Sequence, residues 1–266
     1  MLNHPAIDPI AISLGPLQIH WYGISYLLAF ATAWYLARRN ARRPWSPLGE
    51  NQVEDLVVYG AWGVIAGGRL GYMFFYNTDK WLADPAMLLR IWEGGMSFHG
   101  GLIGVAIAIF IYARKHRVSF LTLTDFAVPL VPTGLFFGRM GNFIGQELYG
   151  RPTDVPWGML FPSDPTQLPR HPSQLYEALL EGLVLFLIIS WFARKPRLAG
   201  EITGLFLVLY GCFRFMVEFV REPDAQFAGQ TAMIESLNWM TRGQALCIPM
   251  VLLGLWQRRR AKKRFL

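Results

Sequence analysis

The chain is 266 residues long, 53% hydrophobic and 15% aromatic, with a formal net charge of +7 and a positive mean hydropathy. That composition excludes an ordinary soluble domain. The two cysteines, Cys212 and Cys247, lie in apolar runs, which excludes a disulfide framework and a CxxC metal or redox site.

The first sixteen residues carry no Lys or Arg and no cleavable signal pattern, so the first span is expected to direct the chain to the membrane. Apolar runs at 17–37, 53–76, 97–113, 120–144, 174–193, 201–220 and 243–257 predict seven helices of spanning or near-spanning length. No internal repeat or low-complexity linker interrupts them, so residues 1–266 read as one all-α integral membrane domain.

The basic residues fall in short clusters between these runs, which is the pattern of membrane orientation and not of nucleic-acid binding. Arg38, Arg39, Arg42 and Arg43 follow the first run; Arg114, Lys115 and Arg117 follow the third; Arg194, Lys195 and Arg197 follow the fifth; six more close the chain from Arg258 to Arg264. These sixteen are expected inside, and only six lie in the other connections: Lys80, Arg90, Arg151, Arg170, Arg221 and Arg242. The N-terminus is therefore predicted outside and the C-terminus inside, with seven crossings.

With direction fixed, the polar residues within the runs acquire a depth, since a helix rises about 1.5 Å per residue. His20, Tyr22 and Tyr26 open the first span, Arg69 comes late in the second and His99 opens the third. Arg139 and Asn142 end the fourth, Gln174 and Glu177 begin the fifth, and Arg214 and Glu218 end the sixth. All lie toward the outer ends, which predicts a cavity opening at the outer leaflet, whereas a transporter site is expected near the midplane. Residues 145–173 form a long outer connection rich in Pro and Gly, of the kind that often makes lids or binding loops. In a second outer connection, 222–242, the Ala232–Trp239 portion reads as an interfacial helix.

The most informative stretch is Gly138-Arg139-Met140-Gly141-Asn142-Phe143-Ile144-Gly145-Gln146-Glu147-Leu148-Tyr149-Gly150. An arginine inside a span costs about 2.5 to 3.5 kcal/mol on insertion scales, so it is expected to face a polar cavity and meet an anion. Arg69, Arg139 and Arg214 together point to an anionic ligand, and a planar guanidinium suits a phosphate, as on a phospholipid head group. A purely structural arrangement is also open, with Arg214 paired to Glu218 one turn on and Arg69 snorkelling outward.

His99, at a glycine-flanked helix start, could exchange a proton near neutral pH or act only as a hydrogen-bonding anchor. Glu147, Glu177 and Glu218 could serve as base or orient the arginines. No His, Cys or Asp cluster has metal-ligand spacing, and no Gly-x-Ser-x-Gly elbow lies in a span, so neither metal nor any other cofactor is expected. Gly63, Gly67 and Gly71 form a small-xxx-small ladder that predicts close helix packing.

Several motifs taken together resemble one family. They are His20-Trp21-Tyr22-Gly23 with Tyr26, Phe98-His99-Gly100-Gly101, the Gly138–Phe143 run with Glu147 and Gly150, His171-Pro172-Ser173-Gln174-Leu175-Tyr176-Glu177, and Tyr210-Gly211-Cys212-Phe213-Arg214 through Glu218-Phe219 to Arg221-Glu222-Pro223-Asp224. The sequence resembles, over nearly its whole length, the prolipoprotein diacylglyceryl transferases of the bacterial inner membrane. One departure is Gly145, where that family usually carries asparagine.

The resemblance implies transfer of the diacylglyceryl group of phosphatidylglycerol to the thiol of a lipobox cysteine in a preprolipoprotein signal peptide, with glycerol 1-phosphate as by-product. It implies critical roles for His99, Arg139 and Arg214, with contributions from Tyr26, Asn142, Glu147, Gly150, Tyr210 and Glu218. The rival expectation from the residues alone is a protein that binds or transports an anionic lipid without covalent chemistry.

Overall fold

In the computed structural model, residues 1–5, 7–15, 17–91, 94–222 and 240–263 are described. The expected interfacial helix at Ala232–Trp239 lies outside the described residues. Every one of the seven apolar runs forms helix. They appear as α1 (Trp21–Ala41), α2 (Glu50–Tyr76), α4 (Phe98–His116), α5 and α6 (Phe120–Ala127 and Val131–Ile144), α7 and α8 (Ser173–Glu177 and Leu185–Phe192), α9 (Glu201–Val217) and α10 (Arg242–Lys263). A short α3 (Thr78–Ala83) follows α2. Two stretches, Phe120–Ile144 and Ser173–Phe192, are each long and apolar enough to cross a membrane by themselves.

The expectation of an all-helical chain holds for the bulk of the molecule, with small strands added at the edges. The first run starts later than its hydropathy suggests, because 17–20 is strand. There β3 (Leu17–His20) pairs antiparallel with β2 (Ile10–Leu14) through a turn at Gly15, whose φ of 61° is open to glycine at little cost. Then β1 (Leu2–Asn3) pairs with β4 (Met159–Leu160) in the long connection. His4 Nε2 lies 2.9 Å from the Phe143 carbonyl, which ties the N-terminal segment to the end of α6.

The chain divides into two compact units, Met1–Leu36 with Ala127–Leu266, and Ala37–Phe126. In the second, α2 and α4 form an antiparallel pair locked through glycine. A Cβ on Gly63 would lie 2.7 Å from the Gly104 carbonyl oxygen, and one on Gly71 would lie 2.7 Å from the Gly100 Cα. The small-residue ladder therefore packs helix on helix, as its spacing predicts.

In the first unit α9 and α10 approach with the same economy, since a Cβ on Gly204 would come within 2.8 Å of the Gly254 carbonyl. Between α7 and α8 the residues Ala178–Val184 hold i→i+5 hydrogen bonds, one of which runs from the Leu185 N–H to the Leu180 carbonyl. Such π segments shift the helical register, and they occur often at functional sites. This one packs against α6, where a Cβ on Gly182 would meet Phe136.

Candidate active site

The long connection 145–172 is a folded element. The backbone takes left-handed conformations at Gln146 (φ 56°) and Leu148 (φ 57°), on either side of Glu147. Non-glycine residues seldom adopt these conformations, so the surrounding bonds must hold them. The Gln174 side-chain amide donates to the Glu147 carbonyl at 2.7 Å, Ser173 Oγ donates to the Leu148 carbonyl at 3.0 Å, and the Gly150 N–H donates to the His171 carbonyl at 2.8 Å. Gly150 has a steric reason to be glycine, since a Cβ there would run into the Val220 carbonyl and His171. Farther along, Arg170 donates to Asp164 at 2.7 Å and to Glu222 at 3.0 Å.

Behind this connection lies a buried cluster of guanidiniums and carboxylates. Glu177, at the end of α7, is fully buried. Its Oε2 accepts an ion pair from Arg139 Nη2 at 2.6 Å and another from Arg214 Nη1 at 3.0 Å. One carboxylate oxygen thus sets the spacing of two arginines contributed by different helices. Arg214 also reaches Glu218 at 2.9 Å through Nη2, and Glu181 at 3.8 Å through Nη1. Arg221 approaches Glu177 at 3.9 Å and Glu218 at 4.0 Å. The hydroxyl of Thr241, just before α10, donates to Glu218 Oε1 at 3.1 Å, and a Cβ on Gly243 would collide with that carboxylate.

The predicted Arg214–Glu218 pair is therefore present as one edge of a larger network. Burying ions is costly unless each meets counter-charges and donors, and here most members do. Arg139 Nη1 also donates to Asn142 Oδ1 at 3.4 Å, and Asn142 Nδ2 donates to Glu147 Oε2 at 3.4 Å. Glu147 is exposed, so this chain of contacts runs from the partly buried arginines to a solvent-facing carboxylate. On α1, Tyr22 and Tyr26 lie with hydroxyls 3.2 Å apart, and Tyr22 packs against Gly141. Tyr210 sits half-buried on α9, one helical turn before Arg214. A side chain at Gly145, the departing position, would sit 3.7 Å from Glu147.

Of the predicted site residues, Arg139, Asn142, Glu147, Gly150, Arg214, Glu218, Tyr26 and Tyr210 all belong to the first unit; Arg139, Asn142, Glu147, Arg214 and Glu218 are joined by the contacts above, and Gly150 packs beside them against His171 and Val220. His99 belongs to the second unit, exposed in the first turn of α4, which Ser97 caps by accepting from the Gly100 N–H at 3.2 Å. Arg69 is also in the second unit and is buried. Its guanidinium donates to the carbonyls of Met87, Leu88, Arg90, Gly94 and Gly95, so it braces the segment between α3 and α4. That occupation removes Arg69 from the candidate anion ligands, and it does not snorkel outward.

Two members of the cluster were not singled out from the sequence. Glu181 carries a signal that was there to be read: an acid one turn after Glu177 in a run apolar enough to span. Arg221 reads from the sequence as an outer-connection charge, because its position just past the apolar run says nothing of burial.

Apolar helices of spanning length around a buried arginine–carboxylate network define a helical membrane protein with a polar internal site. The match to known proteins narrows this. The profile of the prolipoprotein diacylglyceryl transferase family matches residues 9–258. The phosphatidylglycerol–prolipoprotein diacylglyceryl transferase of Methylococcus capsulatus is 57% identical over 258 residues, covering 96% of this chain and 95% of that protein. The proteins of that name from Teredinibacter turnerae and Acinetobacter baylyi are 53% and 54% identical, over 96% of this chain and 90% and 93% of their own lengths. The chain belongs to the prolipoprotein diacylglyceryl transferase family, and it is a membrane transferase of lipoprotein biosynthesis.

Proposed function

We propose that the protein transfers the diacylglyceryl group of phosphatidylglycerol to the thiol of the lipobox cysteine of a preprolipoprotein signal peptide. A thioether forms and glycerol 1-phosphate leaves, as the first step of bacterial lipoprotein maturation. The observation that carries this reading is the single Glu177 oxygen that holds Arg139 and Arg214 side by side. Two planar forks at fixed spacing suit a phosphate that gains charge as it departs.

In this reading the sulfur attacks the primary glyceryl carbon, the carbon–oxygen bond to phosphate breaks, and the phosphate oxygen keeps the bonding pair. Arg139 and Arg214 bind the phosphate and stabilise the charge it acquires. A free thiol has a pKa of about 8.5 and is mostly protonated at neutral pH, so a base must take its proton. His99 is the first candidate for that base, and Glu147 and Glu218 are the others. Tyr26, Asn142, Glu147, Gly150, Tyr210 and Glu218 complete the substrate-binding set.

The whole chain, 1–266, acts as one integral transferase domain of the bacterial inner membrane. Its seven apolar runs cross the membrane with the N-terminus outside and the C-terminus inside, so the site faces the periplasmic side. The sixteen-to-six partition of basic residues supports that orientation.

The test is purified protein in vesicles with labelled phosphatidylglycerol and a lipobox peptide. Thioether-linked peptide and glycerol 1-phosphate in equal amounts are expected. Lipid that binds while both substrates stay unchanged would identify an anionic-lipid binding or transport protein instead.

A further inference from the structure

Glu181 is the member of the cluster that its surroundings serve least. It is fully buried, and among the described residues neither carboxyl oxygen has a hydrogen-bond partner. Its nearest cation is Arg214 Nη1 at 3.8 Å, and that same nitrogen already donates to Glu177 at 3.0 Å. The π segment carries Glu181 in the helix that also carries Glu177, so two carboxyls one turn apart compete for one guanidinium edge. A buried carboxylate without donors is strongly disfavoured, and such a group usually takes up a proton.

The groups that face Glu181 electrostatically are Glu177 on its own helix, Arg139 on α6, Tyr210 and Arg214 on α9, Arg221 beyond it, and Cys247 on α10. Glu218 lies on the far edge of Arg214. With three arginines against the buried Glu177, Glu181 and Glu218 all ionised, the cluster is neutral; with one carboxyl neutral, a single positive charge is left over. A phosphodiester brings one negative charge.

We propose that Glu181 is a positioning residue held as the neutral acid, so that the arginine cluster keeps an excess positive charge for the lipid phosphate, and that ionising Glu181 closes the site electrostatically to that lipid. The charge match rests on the phosphodiester substrate proposed above, but the protonation of Glu181 does not. The experiment is therefore given one arm without any lipid.

In that arm, infrared difference spectra at neutral pH compare the wild type with Glu181→Gln, both solubilised and lipid-free. The C=O stretch of a protonated carboxyl is expected in the wild type and missing from the variant. Superimposable spectra would overturn the proposal, whatever the protein's substrate. In the second arm, phosphatidylglycerol is titrated in the absence of peptide, so that thiol ionisation plays no part. The wild-type Kd should weaken roughly tenfold as rising pH ionises Glu181, the effect of one added charge in a partly screened site, and the variant should lack that rise.

A variant that binds the lipid more tightly than wild type at neutral pH would mean that a negative charge had been removed, and the proposal would fail. No phosphatidylglycerol binding by either protein, with the carboxyl band present, would instead sink the substrate reading and leave the neutral acid standing. Glu181→Met, neutral and of similar length, guards against a folding defect peculiar to glutamine. If neither neutral variant folds, the charge is required and the proposal is overturned.

Discussion

Arg214 pairs with two buried carboxylates, Glu177 and Glu218, and is the cation nearest the Glu181 carboxyl, at 3.8 Å, so its loss is expected to do more than remove a ligand. Breaking a buried ionic network by deleting one partner costs about 3–5 kcal/mol, and Arg214→Ala should lower the melting temperature in detergent as well as abolish transfer. Unaltered melting would mean that the carboxylates re-pair or protonate without strain. His99 gives a cleaner test of chemistry, because it is exposed. If neutral His99 accepts the thiol proton, His99→Gln should recover a larger fraction of the wild-type rate at about pH 9 than at about pH 7, since hydroxide ionises the thiol near 8.5. A constant ratio across that range would reject His99 as base. Arg139, Arg214 and Glu218 were legible as members of one polar cluster because charge inside an apolar run is expensive. Arg69 satisfied the same criterion yet braces backbone carbonyls, and no local pattern distinguishes an arginine that meets carbonyls from one that meets a phosphate.

At the scale of elements, the α2–α4 pair should tolerate almost nothing at its contact and much beside it. A Cβ on Gly104 would fall inside contact distance of the Gly63 carbonyl, whereas one on Gly60 meets nothing within 4 Å. Gly104→Ala should destabilise by about 1–3 kcal/mol through overpacking, and Gly60→Ala should leave stability equal or raise it by up to about 1 kcal/mol. Thermal melts of the two variants check this, and equal melting would show that the helices part easily. The outer connection has a pH limit of its own. Burial pushes the Asp164 carboxyl up, but hydrogen bonds from Arg170 and Thr166 outweigh that and hold it below its ordinary value. A depressed folded pKa contributes stability that is fully present above the unfolded value of about 3.9 and is lost as pH falls through the folded one. Hydrogen-exchange protection of residues 150–170 should therefore be flat from neutral to mildly acid pH and fall below about pH 4, and Asp164→Asn should lack that acid step. Helix positions were legible from hydropathy alone. The β1–β4 and β2–β3 pairings were not, because strands of two to five residues carry too little periodicity, and the π segment left no mark in composition.

For the whole molecule, the orientation is the expectation with the most consequences. Single cysteines at Arg151 and Arg242, in a background without Cys212 and Cys247, should react with an impermeant thiol reagent added outside, and one at Arg117 should not. The reverse labelling would place the cluster's open end at the cytoplasmic face. The sequence supplied helix order and an axis of charge, but the meeting of α6, α7, α9 and the residues before α10 at Glu177 and Glu218 is a tertiary fact. The depth of the polar residues anticipated that they gather at one cavity, with Glu177 and Glu218 able to orient the arginines, but which carboxylate meets which arginine was not legible. The central claim is that paired guanidiniums, set by Glu177, carry the phosphate through transfer. It is tested most directly by measuring thioether formation on a lipobox peptide by the wild type and by Arg139→Lys, each verified as folded by its melt. Lysine keeps the charge and loses the planar fork, and losing one charge-assisted contact of about 1.5–3 kcal/mol predicts a rate lower by about tenfold to a hundredfold. Wild-type turnover by a folded Arg139→Lys protein would contradict the account.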